Sequence, residues 1–109
     1  MKTALLFDLP TFPRGVISLS LPTVAAGLRP FLHVRIIDLN LHAERDYEDL
    51  LRGLGPAQLC GLKVSAQNFE AARSFTALLR RLRPEAKIVW GGELPTLMPE
   101  KCLEHADSV

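Results

Sequence analysis

Lys87–Thr96 reads KIVWGGELPT: Ile88, Val89 and Trp90 form an unbroken apolar run that stops at Gly91 and Gly92. A continuous apolar run closed by glycines predicts a strand buried on both faces, ending where something needs close access to the backbone. The two glycines either form a simple turn or keep side chains away from a bound group.

Upstream of this stretch, Phe69, Ala72, Phe75, Leu78, Leu79 and Leu82 recur at spacings of three and four. They predict a helix capped by Asn68 and ended by Pro84, with Arg73, Arg80, Arg81 and Arg83 on its outer face and last turn, where cations suit the dipole. Before it, Leu59–Ser65 (LCGLKVS) predicts a strand in which Gly61 marks a bulge or close packing. A short helix over Asp46–Leu54 and a strand over His33–Leu39 precede that. Ser20, with Pro22 in the first turn, opens an earlier helix that Gly27 and Pro30 end, and the apolar run Ala4–Phe7 predicts a first strand near residues 3–8. Downstream, Pro99–His105 predicts a helix and Ala106–Val109 the start of a fifth strand.

Strands alternating with helices specify a parallel sheet built from right-handed crossovers, with ligands at the carboxyl ends of the strands. That edge gathers the loops Leu9–Ile17, Asn40–Glu44, Ala66–Asn68 and Gly91–Thr96. At 109 residues the chain suits one domain.

Composition excludes several classes. Lys and Arg number 13 against 12 Asp and Glu, so no basic excess is available to neutralise a phosphate backbone, and nucleic acid is not an expected partner. Every apolar stretch is broken before the ~20 residues a membrane helix needs. The N-terminal MKTALLFDLP superficially resembles a signal peptide, but Asp8 and Pro10 interrupt it early, which favours an interior strand. Cys60 and Cys102 lack CxxC spacing and are expected as buried free thiols of a cytoplasmic protein.

The first loop carries neither G-x-G-x-x-G nor G-x-x-x-x-G-K-[ST]. Asp38 ends a strand but reads as a solvated carboxylate or turn cap. A receiver domain would want an acidic pair beside Asp8, an Asp where Ser65 stands and a Lys where Gly92 follows the fourth strand. His33, His42 and His105 fall on separate elements without metal-ligand spacing. Ser65, Gln67 and Asn68 make a polar cluster before a helix N-terminus, which reads equally as an anion- or carbonyl-binding feature and as plain helix capping.

The combination SLSLPTVAAGLRP, VRIIDLN and GLKVSAQNFEAARSFTALLRRLRPEAKIVWGGELPTLMPEKCLEHADSV resembles the N-terminal cobalamin-binding-type domain of radical S-adenosylmethionine proteins. The similarity covers almost the whole chain, and its most specific part is Ile88–Val109. The resemblance implies a flavodoxin-like three-layer αβα sandwich with a parallel sheet of four strands plus a truncated fifth. It implies cobalamin-facing positions at Pro10, Gly15, Leu21 and Pro22, at Ser65, Ala66, Gln67 and Asn68, and at Gly91, Gly92 and Glu93.

It also implies that residues 1–109 are the N-terminal part of a longer protein whose own downstream radical S-adenosylmethionine barrel is the partner. The C-x-x-x-C-x-x-C motif for a [4Fe-4S] cluster is absent here, so the cluster and S-adenosylmethionine belong to that barrel and the chain alone is not catalytic. D-x-H-x-x-G, whose His ligates cobalt in the methionine-synthase type, is absent too: Leu9 and Pro10 follow Asp8. The expected function is a cobalamin-binding accessory module of a radical enzyme, with a methyltransferase as one form that enzyme can take. The alternatives are a cofactor-free structural or substrate-gating domain of the same fold and a receiver-type regulatory module. A truncated fifth strand would leave a sheet edge open to self-association.

Overall fold

The computed structural model describes residues 2–10 and 20–109. Strands β1 (Thr3–Asp8), β2 (His33–Asp38), β3 (Leu59–Lys63) and β4 (Lys87–Gly91) form one sheet in the order β2-β1-β3-β4, with every neighbouring pair parallel. Helices α1 (Ser20–Leu28), α2 (Tyr47–Gly53) and α3 (Phe69–Leu82) lie between the strands, and the short α4 (Glu93–Leu97) and α5 (Pro99–Leu103) follow β4. This is a flavodoxin-like, three-layer arrangement whose winding reverses between β1 and β3.

The two faces of the sheet are unequal. Leu5 and Phe7 of β1, Cys60 and Leu62 of β3, and Ile88 and Trp90 of β4 enter the main core with Tyr47, Leu51, Phe75 and Leu79 from α2 and α3. Rings tighten it: Phe75 meets Phe7 edge-on at 4.9 Å and Tyr47 at 5.6 Å, and the buried Trp90 donates its indole N–H to Thr76 Oγ1 at 3.0 Å. The opposite face has a smaller core in which Leu21 and Ala25 of α1 pack on Leu6, with Val34 and Ile36 alongside. Among the described residues α1 alone covers that face.

Several expectations need correction. β4 is buried on one face only: Ile88 and Trp90 are enclosed, whereas Val89 between them is half-exposed, with no helix over it among the described residues. β3 stops at Lys63 rather than Ser65. The Gly91–Thr96 stretch is not wholly loop, since α4 starts at Glu93 and holds Pro95 in its first turn, where a missing N–H costs no helical bond. The helix expected over Pro99–His105 ends at Leu103.

The fifth strand is reduced to one parallel bridge between Val89 and Ser108. Asp107 secures that segment by accepting the Ile88 N–H at 2.8 Å, with Arg80 3.4 Å away. The Ile88 N–H first, and Arg80 second, hold its carboxyl below the ordinary range against the opposing effect of burial.

Asn68 does not cap α3. Its side chain accepts from the Ser65 N–H at 2.8 Å and donates to the Lys63 carbonyl at 3.0 Å, bracing the turn after β3. Arg83 does not join the outer face: it is 7% exposed and turns inward to donate to the carbonyls of Leu51 (2.8 Å), Gly55 (2.6 Å) and Leu54. Gly61 is a site of close packing, because a Cβ there would sit 2.8 Å from Leu6 Cδ2.

Cys60 and Cys102 are buried free thiols. Burial pushes the Cys60 thiol from 9.0 up to about 11, with Arg83 opposing and Glu85 reinforcing the rise. The folded chain therefore keeps this proton over a range in which an unfolded chain releases it. The resulting stability is complete below pH 9.0 and falls as pH rises towards 11. Urea denaturation across this window is expected to show a falling midpoint, and Cys60→Ala a shallower fall.

Candidate functional site

Three strand ends meet at the carboxyl edge of the sheet. β1 and β2 run in register to place Asp8 opposite Asp38, and β3 ends at Lys63 beside them. Burial, and then repulsion from Asp38, raise the Asp8 pKa against the pull of Lys63. Asp38 is itself occupied as a turn cap, accepting from the Asn40 backbone and side-chain N–H groups at 2.9 Å each.

Below this edge, on the face that α1 only partly covers, runs a groove of about 230 Å³. Its floor follows strand alternation: Leu6 from β1, Leu59, Gly61 and Lys63 from β3, Val89 and Gly91 from β4. Ser20, Leu21, Val24 and Leu28 of α1 form the side wall. The register sets Gly61 opposite Val89 and Lys63 opposite Gly91. On this face Gly91 leaves open space, while Gly61 makes room for the Leu6 side chain packed over it, and the result is a trough with apolar walls.

The two glycines that close β4 do different work. A Cβ on Gly91 would have nothing within 4 Å, so Gly91 contributes open space at the groove. Gly92 has φ 108° and ψ −159°, a region open essentially to glycine alone, and a Cβ there would lie 3.1 Å from the Val64 carbonyl oxygen. Gly92 turns the chain from β4 into α4. Val64 ties the turn down by donating to the Gly91 carbonyl at 2.8 Å and accepting from the Leu94 N–H at 3.2 Å.

Of the positions singled out from the sequence, Leu21, Gly91 and Gly92 meet at this groove. Pro22, Ala66, Gln67 and Glu93 are exposed, Ala66 and Gln67 in the turn after β3 and Glu93 at the start of α4. Asn68 is committed to its brace, while Ser65 Oγ is buried with no hydrogen-bond partner among the described residues. Gly15 lies outside the described residues, as does most of the first loop.

Pro10 lines a different cleft, of about 410 Å³, between α3 and the stretch around Tyr47 on the other face. That larger cleft carries Glu44, Arg45 and Glu48 and, among the described residues, no glycine. The smaller groove is the better candidate, being apolar and left open at Gly91. Reading the sequence missed Gly61, Leu59, Val89 and Val24 as wall positions. The signal was a second strand glycine, but assigning it to the same face as Gly91 requires the register.

Histidine placement limits the chemistry. His33 begins β2 at the opposite edge of the sheet, and His105 stacks on Trp90 at 5.5 Å. His42 follows the turn after β2. Among the described residues no three His, Cys, Asp or Glu side chains form a group that could hold a metal, and no helix is long and apolar enough to cross a membrane.

The B12 binding domain family model matches residues 11–109. Among solved structures, the chain is similar to the radical S-adenosylmethionine methyltransferase TsrM from Kitasatospora setae with cobalamin and a [4Fe-4S] cluster bound. The TM-score is 0.82 at 20% identity, over 95% of this chain and 22% of that one. It is also similar to the cobalamin-dependent S-adenosylmethionine radical enzyme OxsB with aqua-cobalamin bound, with a TM-score of 0.75 at 23% identity over 95% of this chain and 16% of that one. The chain thus spans about a fifth or less of the length of these structures. At these identities the likeness establishes the fold. No curated protein matches.

Proposed function

Because the chain belongs to the B12 binding domain family, we propose that it is a cobalamin-binding module, with the groove beside α1 receiving the cofactor's nucleotide tail. The observation that carries this reading is the apolar-walled trough at the carboxyl edge, left open at Gly91 and floored by Leu6 where it packs over Gly61. The residues present fit the group: the groove offers apolar surface, and the adjoining turn offers Ser65 Oγ, a buried hydroxyl without a partner among the described residues.

In this reading Leu21 and Gly91 contact the tail, Gly92 shapes the turn beside it, and Ser65 offers the tail a hydrogen bond. Ala66, Gln67, Glu93 and Pro22, exposed as they are, contribute the surface on which the corrin ring rests. When bound, a corrinoid supplies a cobalt that accepts and gives up alkyl groups. The chain's own part is to bind and orient the corrinoid and to shield one side of it from water. With Pro10 two residues after Asp8, no histidine of this chain stands where the methionine-synthase type supplies its cobalt ligand.

We infer that the reaction belongs to a radical S-adenosylmethionine barrel in the same protein, which also holds the iron–sulfur cluster, and that the whole works in the cytoplasm. Support comes from the fold shared with TsrM and OxsB, both radical S-adenosylmethionine enzymes. Methyl transfer is the activity this context favours.

Titration of the 109-residue chain with hydroxocobalamin is expected to shift the visible bands of the corrinoid and quench Trp90, the sole tryptophan. No spectral change and no quenching at high-micromolar cobalamin would leave a cofactor-free gating domain as the better reading.

A further inference from the structure

Resting on the cobalamin reading, we propose that the groove selects among corrinoids by the lower base at the end of the nucleotide tail, accepting dimethylbenzimidazole and discriminating against adenine. The inference comes from what the walls lack among the described residues. Leu6, packed over Gly61, presents hydrocarbon together with Leu21, Val24, Leu59 and Val89, and Gly91 presents bare backbone within a strand ladder. The β3 and β4 backbones facing each other across this floor are already bonded in register. Ser20 and Lys63 are the polar lining residues, and each already has an interaction elsewhere.

An aromatic base entering this space exchanges water for apolar contact. Dimethylbenzimidazole carries two methyl groups and a single free ring nitrogen, so it gains contact and gives up little hydrogen bonding. Adenine carries several ring nitrogens and an amino group. Each polar atom taken from water into such a groove without a partner weakens binding, and leaving one unmet costs more than one hydrogen bond gains. Hydrocarbon walls therefore reject the more polar base even when its shape fits, a discrimination based on desolvation rather than on steric exclusion.

The decisive measurement titrates the 109-residue chain with hydroxocobalamin, with its adenine-containing counterpart pseudocobalamin, and with cobinamide, which has no tail. Cobalamin is expected to bind at least about ten-fold more tightly than pseudocobalamin, with cobinamide weaker than cobalamin. Equal affinities for the two complete corrinoids would overturn the selection while leaving cobalamin binding intact. Cobinamide binding as tightly as cobalamin would show that the tail does not use the groove and would overturn it as well. If none of the three binds, the cobalamin reading fails and the selection with it.

A second variant keeps the test independent of folding. Val24 is 49% exposed on α1, so Val24→Gln introduces an amide at the groove wall without opening the core. It is expected to bring the two affinities at least about three-fold closer together, because the amide can meet polar atoms of adenine. An unchanged ratio in the Gln variant would count against the groove as the selecting element.

Discussion

Gly92→Ala is expected to destabilise the folded chain by about 2–4 kcal/mol, from the cost of a Gly-only backbone conformation plus a steric contribution. Gly91→Ala is expected to stay within about 1 kcal/mol of the parent, on the stabilising side. The letters are the same and adjacent, yet the positions differ in kind. Gly92 holds φ 108°, and its added Cβ would come 3.1 Å from the Val64 backbone oxygen, an atom tied into the β3–α4 turn and unable to swing away. Gly91 lies outside the positive-φ region and its Cβ would enter open space.

Urea unfolding separates the two variants at once. Ligand binding then reverses their order of interest: Gly91→Leu, which directs a side chain into the groove while leaving the turn alone, is expected to weaken cobalamin binding by at least about a hundred-fold with little change in unfolding midpoint. A Gly91→Leu protein that binds cobalamin like the parent would remove the groove from the site.

The other large effect is expected at Arg83. Its guanidinium is the shared C-terminal partner of α2 and the loop after it, satisfying the carbonyls of Leu51, Leu54 and Gly55, and it is 7% exposed. α2 has only seven residues, too few to persist without tertiary support. Arg83→Ala strands these carbonyls in a poorly hydrated place and leaves a void, for an expected loss of about 3–5 kcal/mol. Against a total stability of about 5–15 kcal/mol for a domain of this size, that is a large share. Thermal melting should register it as a fall on the order of 10–20 °C. Arg83→Lys keeps the charge but not the planar fork, and should recover less than half of the loss. If Arg83→Ala melts like the parent, the carbonyls are met by water and the clamp carries no stability.

What the sequence made legible divides along physical lines. Strand positions followed from local signals: β1 and β2 begin one residue before their apolar runs, and α3 follows its spacing of three and four from Phe69 to Leu82. The candidate edge was legible for the same reason, because alternating strands and helices fix where the strand ends gather. Features set by long-range geometry were not. Whether Arg83 turns in or out depends on carbonyls of α2 and the loop after it, 28 to 32 residues earlier in the chain. Asn68 has the right letter for a cap, but the turn after β3 competes for its side chain and wins.

The groove itself joins residues from β1, α1, β3 and β4, so no single window of sequence contains it. Leu21, Gly91 and Gly92 could be singled out in advance. Gly61 was legible as a close approach but not as part of a shared trough, since that requires knowing that it faces the same way as Gly91.

The unequal covering of the sheet bears on more than recognition. One layer consists, among the described residues, of a single nine-residue helix, and the bare half of its face leaves Val89 and Leu59 only partly enclosed. A group lodged there would serve as the missing piece of that layer, burying surface that the polypeptide leaves half-wet. Binding and folding then become one linked equilibrium, since whatever associates only with the folded form raises its population by mass action. The abundance of such a module in a cell would follow its nutrient supply, with scarcity of the occupant thinning the pool of intact protein before any loss of synthesis.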